Sequence, residues 1–132
     1  MLKALNPEDI RAPFARYSHA IEAPAGCGLV TVSGQLGIGA DDVAPEAIEE
    51  QARLCFDNID AILRSGGMNG SNVMRINAYV TDRADMPGYM AVRDRWIADL
   101  DPPTASTLMI VSGFTRPEFK VEIEVLAAKS RS

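Results

Sequence analysis

Two segments of this 132-residue chain alternate so regularly between apolar and polar residues that a strand is the only element that suits them. In Met74-Arg75-Ile76-Asn77-Ala78-Tyr79-Val80-Thr81 every second residue is apolar, and from Lys120 to Ala127 Val121, Ile123 and Val125 interleave with Lys120, Glu122 and Glu124. Period two puts one face of each strand against a core and the other away from it, so an apolar layer must cover one side. The chain supplies helices for this. Ile48, Ala52, Cys55, Ile59 and Ile62 recur at spacings of four, three, four and three, the stripe of an amphipathic helix. Gly66-Gly67 ends that helix with a left-handed cap. A second helix starts at Asp85, the expected N-cap, with Pro87 in its first turn. It carries Tyr89, Val92, Trp96 and Leu100 and stops at Asp101-Pro102-Pro103.

Around these elements the pattern is less regular. Residues 1–16, with Pro7, Asp9 and Pro13, predict an extended or irregular lead-in. Tyr17–Ala23 and Gly28–Gln35 read as a hairpin closed by Pro24-Ala25-Gly26. Gly37-Ile38-Gly39, Asp41, Asp42 and Pro45 form a loop leading into the first helix, and another strand runs from about Thr104 to Val111. The order β-β-α-β-α-β-β describes one α+β domain over residues 1–132, with helices enough for one face of a sheet. The opposite face carries Thr31, Ser33, Asn77 and two carboxylates, so it meets either solvent or another subunit.

Charge and composition exclude several functions. Thirteen Lys and Arg against eighteen Asp and Glu leave a net charge of −5 without a basic cluster, which argues against a nucleic-acid partner. No apolar run approaches the roughly 20 residues that span a bilayer, and the first residues lack a signal peptide's apolar core. The expectation is a cytoplasmic, thiol-reduced protein with no membrane partner. Cys55 reads as a small core residue and Cys27 as a turn residue. His19 is the only histidine; no nucleophile and acid are fixed around it, and with the two cysteines it lacks zinc spacing. Asp42 stands where the third glycine of a dinucleotide fingerprint belongs after Gly37-Ile38-Gly39. Neither a metal nor a cofactor is expected. Tyr17, Ser33 and Glu122 are each more often structural than catalytic. Together, a carboxylate near neutral hydroxyls can hold and activate a water.

Four motifs, Tyr17-Ser18-His19-Ala20, Val32-Ser33-Gly34-Gln35, Gln51-Ala52-Arg53-Leu54-Cys55-Phe56-Asp57-Asn58-Ile59 and Val121-Glu122-Ile123-Glu124-Val125-Leu126-Ala127, resemble the RidA family, also called YjgF, in order and over nearly the whole chain. The resemblance implies a chorismate-mutase-like α+β fold, with a mixed sheet and two helices on one face. It also implies a homotrimer with clefts between subunits and cofactor-free hydrolysis of enamines and imines, such as 2-aminoacrylate, to 2-oxo acids and ammonia. By the same resemblance Tyr17, Ser33, Gly34, Ala105, Ser106 and Thr107 would bind substrate, and Glu122 would position the attacking water.

The family's Pro-Ala-Arg-Ser arginine, which forks onto the substrate carboxylate, is replaced. Here the stretch is Pro103-Thr104-Ala105-Ser106, and Met90 stands where an asparagine is common on the second helix. Arg16 and Arg116 are candidate replacements for the clamp, against a reading of both as solvated surface charges. The expectation is a RidA-like protein with a small-molecule cleft, an enamine or imine deaminase whose substrate is not a simple 2-imino acid. The alternative is a non-catalytic trimer that binds or senses a small ligand. Ribonuclease activity or inhibition of translation fits the acidic chain least.

Overall fold

The computed structural model describes residues 1–131. The chain runs β1 (Lys3–Leu5), β2 (Ala20–Glu22), β3 (Cys27–Leu36), α1 (Ile48–Ser65), β4 (Val73–Val80), α2 (Met86–Trp96), β5 (Ala105–Ile110) and β6 (Val121–Ser130). The two alternating segments lie side by side in a four-stranded sheet of order β3-β6-β4-β5. There β6 is antiparallel to both its neighbours, and β5 is parallel to β4. A parallel pair needs a crossover connection, and α2 supplies it. The fold is therefore α+β, as the alternation and the two helical stripes predict, and its sheet is mixed, as the resemblance implies.

One face of the sheet is closed by α1, which lies over β3 and β6, with α2 packed beside it. Val32, Ile76, Ala78, Val80, Val121, Ile123 and Val125 from the strands meet Ala52, Cys55, Phe56, Ile59 and Leu63 of α1 in a single core. Phe56 stacks on Trp96 at 4.6 Å between ring centres, and Trp96 Nε1 donates to Asp60 Oδ1 at 3.1 Å, which fixes the two helices together. Within the core lies a polar residue that the stripe does not anticipate. The fully buried Gln51 donates through Nε2 to Pro45 O (2.7 Å) and Glu118 O (2.9 Å), and its Oε1 accepts from Lys120 N–H (2.9 Å). Its amide is satisfied at both ends, so its burial is tolerated.

Several local expectations are corrected. Tyr17–Ala23 and Gly28–Gln35 do not form a hairpin: β2 pairs with β1 (Ala4↔Ile21), and β3 pairs with β6 (Val32↔Val125). Pairing with β6 brings Val30 and Val32 under α1, whereas β2 has no buried side chain to offer. The lead-in thus contributes a strand. In β4 a bulge between Val73 and Arg75 puts Val73 into the core and leaves Met74 half-buried. Asp85 makes no side-chain cap; α2 is entered through a 3₁₀ turn at Arg83–Asp85, itself capped by Asp82, whose Oδ1 accepts from Ala84 N–H at 2.9 Å. Leu100 lies beyond the end of α2, and on α1 Phe56 and Leu63 are buried where Ile62 is only half-buried. Of the two glycines after α1, Gly67 alone takes the left-handed conformation, at φ +73°.

Candidate functional site

Residues paired in register share a face of the sheet. Arg75 pairs with Ala105 and Leu126, Asn77 with Thr107 and Glu124, and Tyr79 with Met109 and Glu122, all on the side away from the helices. Leu29 and Thr31 of β3 extend this open face, and Leu29 (62%) and Met109 (52%) expose large apolar side chains at its two edges.

A polar network crosses three strands of that face. Arg75 Nη2 donates to Thr107 Oγ1 (2.6 Å) and Arg75 Nε to Asn77 Oδ1 (2.9 Å). Asn77 Nδ2 donates in turn to Glu124 Oε1 (3.3 Å), which also accepts from the Tyr79 hydroxyl (2.6 Å). The bond to Glu124 is the main reason the Tyr79 hydroxyl ionises above its ordinary range, with burial adding to it. Glu124 is thus held by two neutral donors.

Glu122 differs. No side-chain hydrogen bond to it is found among the described residues. Burial first, and then the neighbouring Glu124 charge, raise its pKa above the usual carboxylate range. A bulge makes room for it. Val32 pairs with Val125 and Gln35 with Ile123, so Ser33 and Gly34 together stand opposite the single residue Glu124. The bulge brings Gly34 against the Glu122 carboxyl so closely that a Cβ there would lie 2.7 Å from Glu122 Cδ.

The structure thus gathers Ser33, Gly34 and Glu122 at the β3 side of the sheet. Tyr17 and Ala105 lie at the other edge: Ser18 bridges to Ala105, its N–H donating to Thr104 O (2.8 Å) and its Oγ to Pro103 O (2.5 Å). The Tyr17 hydroxyl accepts from Phe14 N–H at 3.2 Å. Three strand spacings, about 14 Å, separate β3 from β5. Thr107 is on the open face, but Ser106 is in register with Ile76 and so shares the helix-covered side.

Neither of the arginines considered for the clamp belongs to the open-face network. Arg16 Nη2 donates to the carbonyls of Ile97 (3.3 Å), Ala98 (3.3 Å) and Leu100 (2.8 Å) where the chain leaves α2, a place that favours a cation. Arg116 sits between Asp42 (3.6 Å) and Glu118 (3.4 Å), with its guanidinium 4.7 Å from the centre of the Phe119 ring. Met90 packs against the core. Cys55 is fully buried, its Sγ donating to Gln35 O at 3.2 Å, and burial, with Glu122 nearby, pushes its thiol up to about 12, far from a nucleophile's range. The residue that sequence reasoning missed is Arg75. A groove of about 420 Å³ at the far end of β6, lined by Leu2, Ile21, Val73, Pro102 and Lys129 among others, contains none of these groups.

The family model described as Endoribonuclease L-PSP matches residues 8–129. A RutC family protein of Aquifex aeolicus (strain VF5) is 29% identical over 118 residues, covering 89% of this chain and 91% of that one. The protein DfrA of Myxococcus xanthus is 29% identical over 129 residues, 95% of this chain and 94% of its own. Among solved structures, the Rid-family protein YyfB from Yersinia pestis superposes with a TM-score of 0.84 at 24% identity, covering 97% of this chain and 98% of that chain. E. coli TdcF with bound serine gives 0.73 at 21% identity, over 97% and 99%. These two likenesses are likenesses of fold. No helix among the described residues is long and apolar enough to cross a membrane.

Proposed function

Because the chain belongs to the Endoribonuclease L-PSP family, that of the RidA and YjgF proteins, we propose that it hydrolyses a small enamine or imine in a cleft between subunits, with Glu122 as the base. The observation that carries this is the state of Glu122: it makes no side-chain hydrogen bond among the described residues, lies on the open face, and has a proton affinity raised by burial and by Glu124. A carboxylate shifted toward the working pH is a better general base than an ordinary one. Glu122 takes a proton from water as the oxygen adds to the imine carbon and passes it to the nitrogen, giving a neutral carbinolamine; the carbinolamine hydroxyl proton then passes by way of the same carboxylate to the amine as the C–N bond breaks, leaving a carbonyl compound and ammonia. One water is consumed for each ammonia released. The step is acid–base chemistry throughout.

The two groups of candidate residues support a shared site. Ser33, Gly34 and Glu122 lie toward one side of the sheet, Tyr17 and Ala105 at the other edge, about 14 Å apart within one chain. Setting the β3 side of one copy against the β5 edge of another joins the two groups and covers Leu29 and Met109. A closed ring of three chains of 14.2 kDa, about 43 kDa, does this at every edge. The acidic chain and two free thiols suit a cytoplasmic trimer. Ala105 offers only a methyl group, so the substrate is not gripped as arginine-bearing relatives grip theirs, and this favours a second reading, a trimer that binds a small ligand without turnover.

A screen of enamines and imines generated in situ, with ammonia release followed above the buffer rate, tests the reading. Glu122→Gln should lower turnover at least about tenfold while the assembly keeps its mass in light scattering. Unchanged turnover in that variant would remove the base, and binding with no turnover across the screen would leave the ligand-binding reading.

A further inference from the structure

We infer that Arg75 is the anion anchor of this site, holding the carboxylate of a small imine or 2-oxo acid from the strand next to the one where the family keeps its arginine. The inference rests on the open face being the site proposed above. Arg75 and Ala105 are in-register partners on adjacent parallel strands, so the two positions lie about 4.8 Å apart at the backbone and share one face. Of the residues the four strands put on that face, Arg75 is the only cation.

Its surroundings orient the guanidinium without neutralising it. Both of its side-chain partners, Thr107 Oγ1 and Asn77 Oδ1, are uncharged acceptors, and no carboxylate lies within ion-pair distance among the described residues. A guanidinium has five N–H donors, so an edge remains for a ligand. The nearest acid on its path, Glu124, is kept one step away: the Asn77 amide accepts from Arg75 on one side and donates to Glu124 on the other, while Tyr79 holds Glu124 as well. Arg75 is half-buried, so its field is screened less than that of a surface charge. By contrast, Arg16 is occupied by three carbonyls and Arg116 by two acids.

The base that Arg75 serves belongs to another copy. Arg75 pairs with Leu126, four residues along β6 from Glu122, with Asn77 and Glu124 between them, so within one chain the two are about 14 Å apart at the backbone; Arg75 stands beside Ala105, and the assembly proposed above would set both against the Glu122 of another copy. This moves the anion from β5 to β4. The site therefore selects carboxylate-bearing imines, gripped in a different place from those of arginine-bearing relatives.

Pyruvate and its neutral amide, pyruvamide, are suitable probes, because their binding needs no turnover. The native protein should bind pyruvate about tenfold or more tighter than pyruvamide by calorimetry or NMR titration, as expected for hydrogen bonds to a charged group. Arg75→Gln should erase the difference, Arg75→Lys should keep part of it as a point charge without the fork, and Ala105→Arg added to Arg75→Gln should restore it. Arg53→Gln, exposed on α1, should leave it unchanged. If Arg75→Gln dissociates the oligomer, the native protein still decides: pyruvate, and not pyruvamide, should protect Arg75 from phenylglyoxal, mapped by mass spectrometry. Equal binding of the two probes, native-like pyruvate affinity in an assembled Arg75→Gln, or modification of Arg75 regardless of pyruvate would each overturn the anchor. Failure of the hydrolase reading looks different: turnover survives Glu122→Gln while the preference for pyruvate still depends on Arg75.

Discussion

Replacing Gly34 with alanine adds one methyl group and should disable the base without unfolding the protein. Gly34 is not among the residues with positive φ, so the backbone accepts a Cβ, and the cost falls on what the Cβ meets. It would lie 2.7 Å from Glu122 Cδ and 2.9 Å from both Cγ and Oε2. Ordinary carbon contacts need about 3.5–4.0 Å, so the carboxyl must retreat by about 0.8–1.3 Å. The carboxyl is the far end of a flexible side chain with no side-chain hydrogen bond among the described residues to break, so it can swing aside cheaply. A reacting group displaced by about 1 Å can cost about 10² in rate. Gly34→Ala should therefore lower kcat/KM about a hundredfold on whichever imine the screen identifies, with Tm and oligomer mass close to native. If turnover stays within about twofold of native while Glu122→Gln abolishes it, the carboxylate does not work from the position described, and the argument from the bulge fails.

Glu124→Gln should move the acid limb of the pH–rate profile to lower pH, because it removes the repulsion that helps hold a proton on Glu122; an unmoved limb would show that the two carboxylates are not coupled. The stability profile carries the matching sign. A carboxyl whose folded pKa is raised contributes most below its unfolded pKa and loses that contribution as pH rises through the folded value, so Glu122→Gln should flatten a decline in Tm just above the ordinary carboxylate range. Iodoacetamide on the native protein at mildly alkaline pH should label Cys27, which is half-buried, and spare Cys55, whose thiol is pushed up to about 12. Rapid labelling of Cys55 would mean that α1 opens readily.

Period-two alternation identified β4 and β6 because each has one buried face, and the α1 stripe was readable for the same reason. Pairing was not readable. Nothing local to Gly28–Gln35 distinguishes a neighbour five residues away from one about ninety away, so the near neighbour was expected where β6 is found. The open face was anticipated through Thr31, Ser33 and Asn77, yet its cation was overlooked. Arg75 alternates with Ile76 in plain view, but its significance depends on the parallel register with Ala105, which arises only through the α2 crossover. Simple alternation would also have put Ser33 and Gly34 on opposite faces, since a bulge leaves no period of its own. Arg16 was considered for the clamp because it adjoins Tyr17; the carbonyls it binds are more than eighty residues away in sequence.

The doubled position opposite Glu124 has an evolutionary consequence. Val32 pairs with Val125, Gln35 with Ile123 and Leu36 with Glu122, so a chain one residue shorter, without Gly34, would keep every one of these partners and simply close the ladder. Away from this bulge and the one in β4, gain or loss of a single residue within a paired strand would turn the rest of that strand inside out. Here it would alter only the wall against the Glu122 carboxyl. This hydrophobic interior can therefore be inherited intact while insertions and deletions at one point of β3 reshape the chemistry beside it.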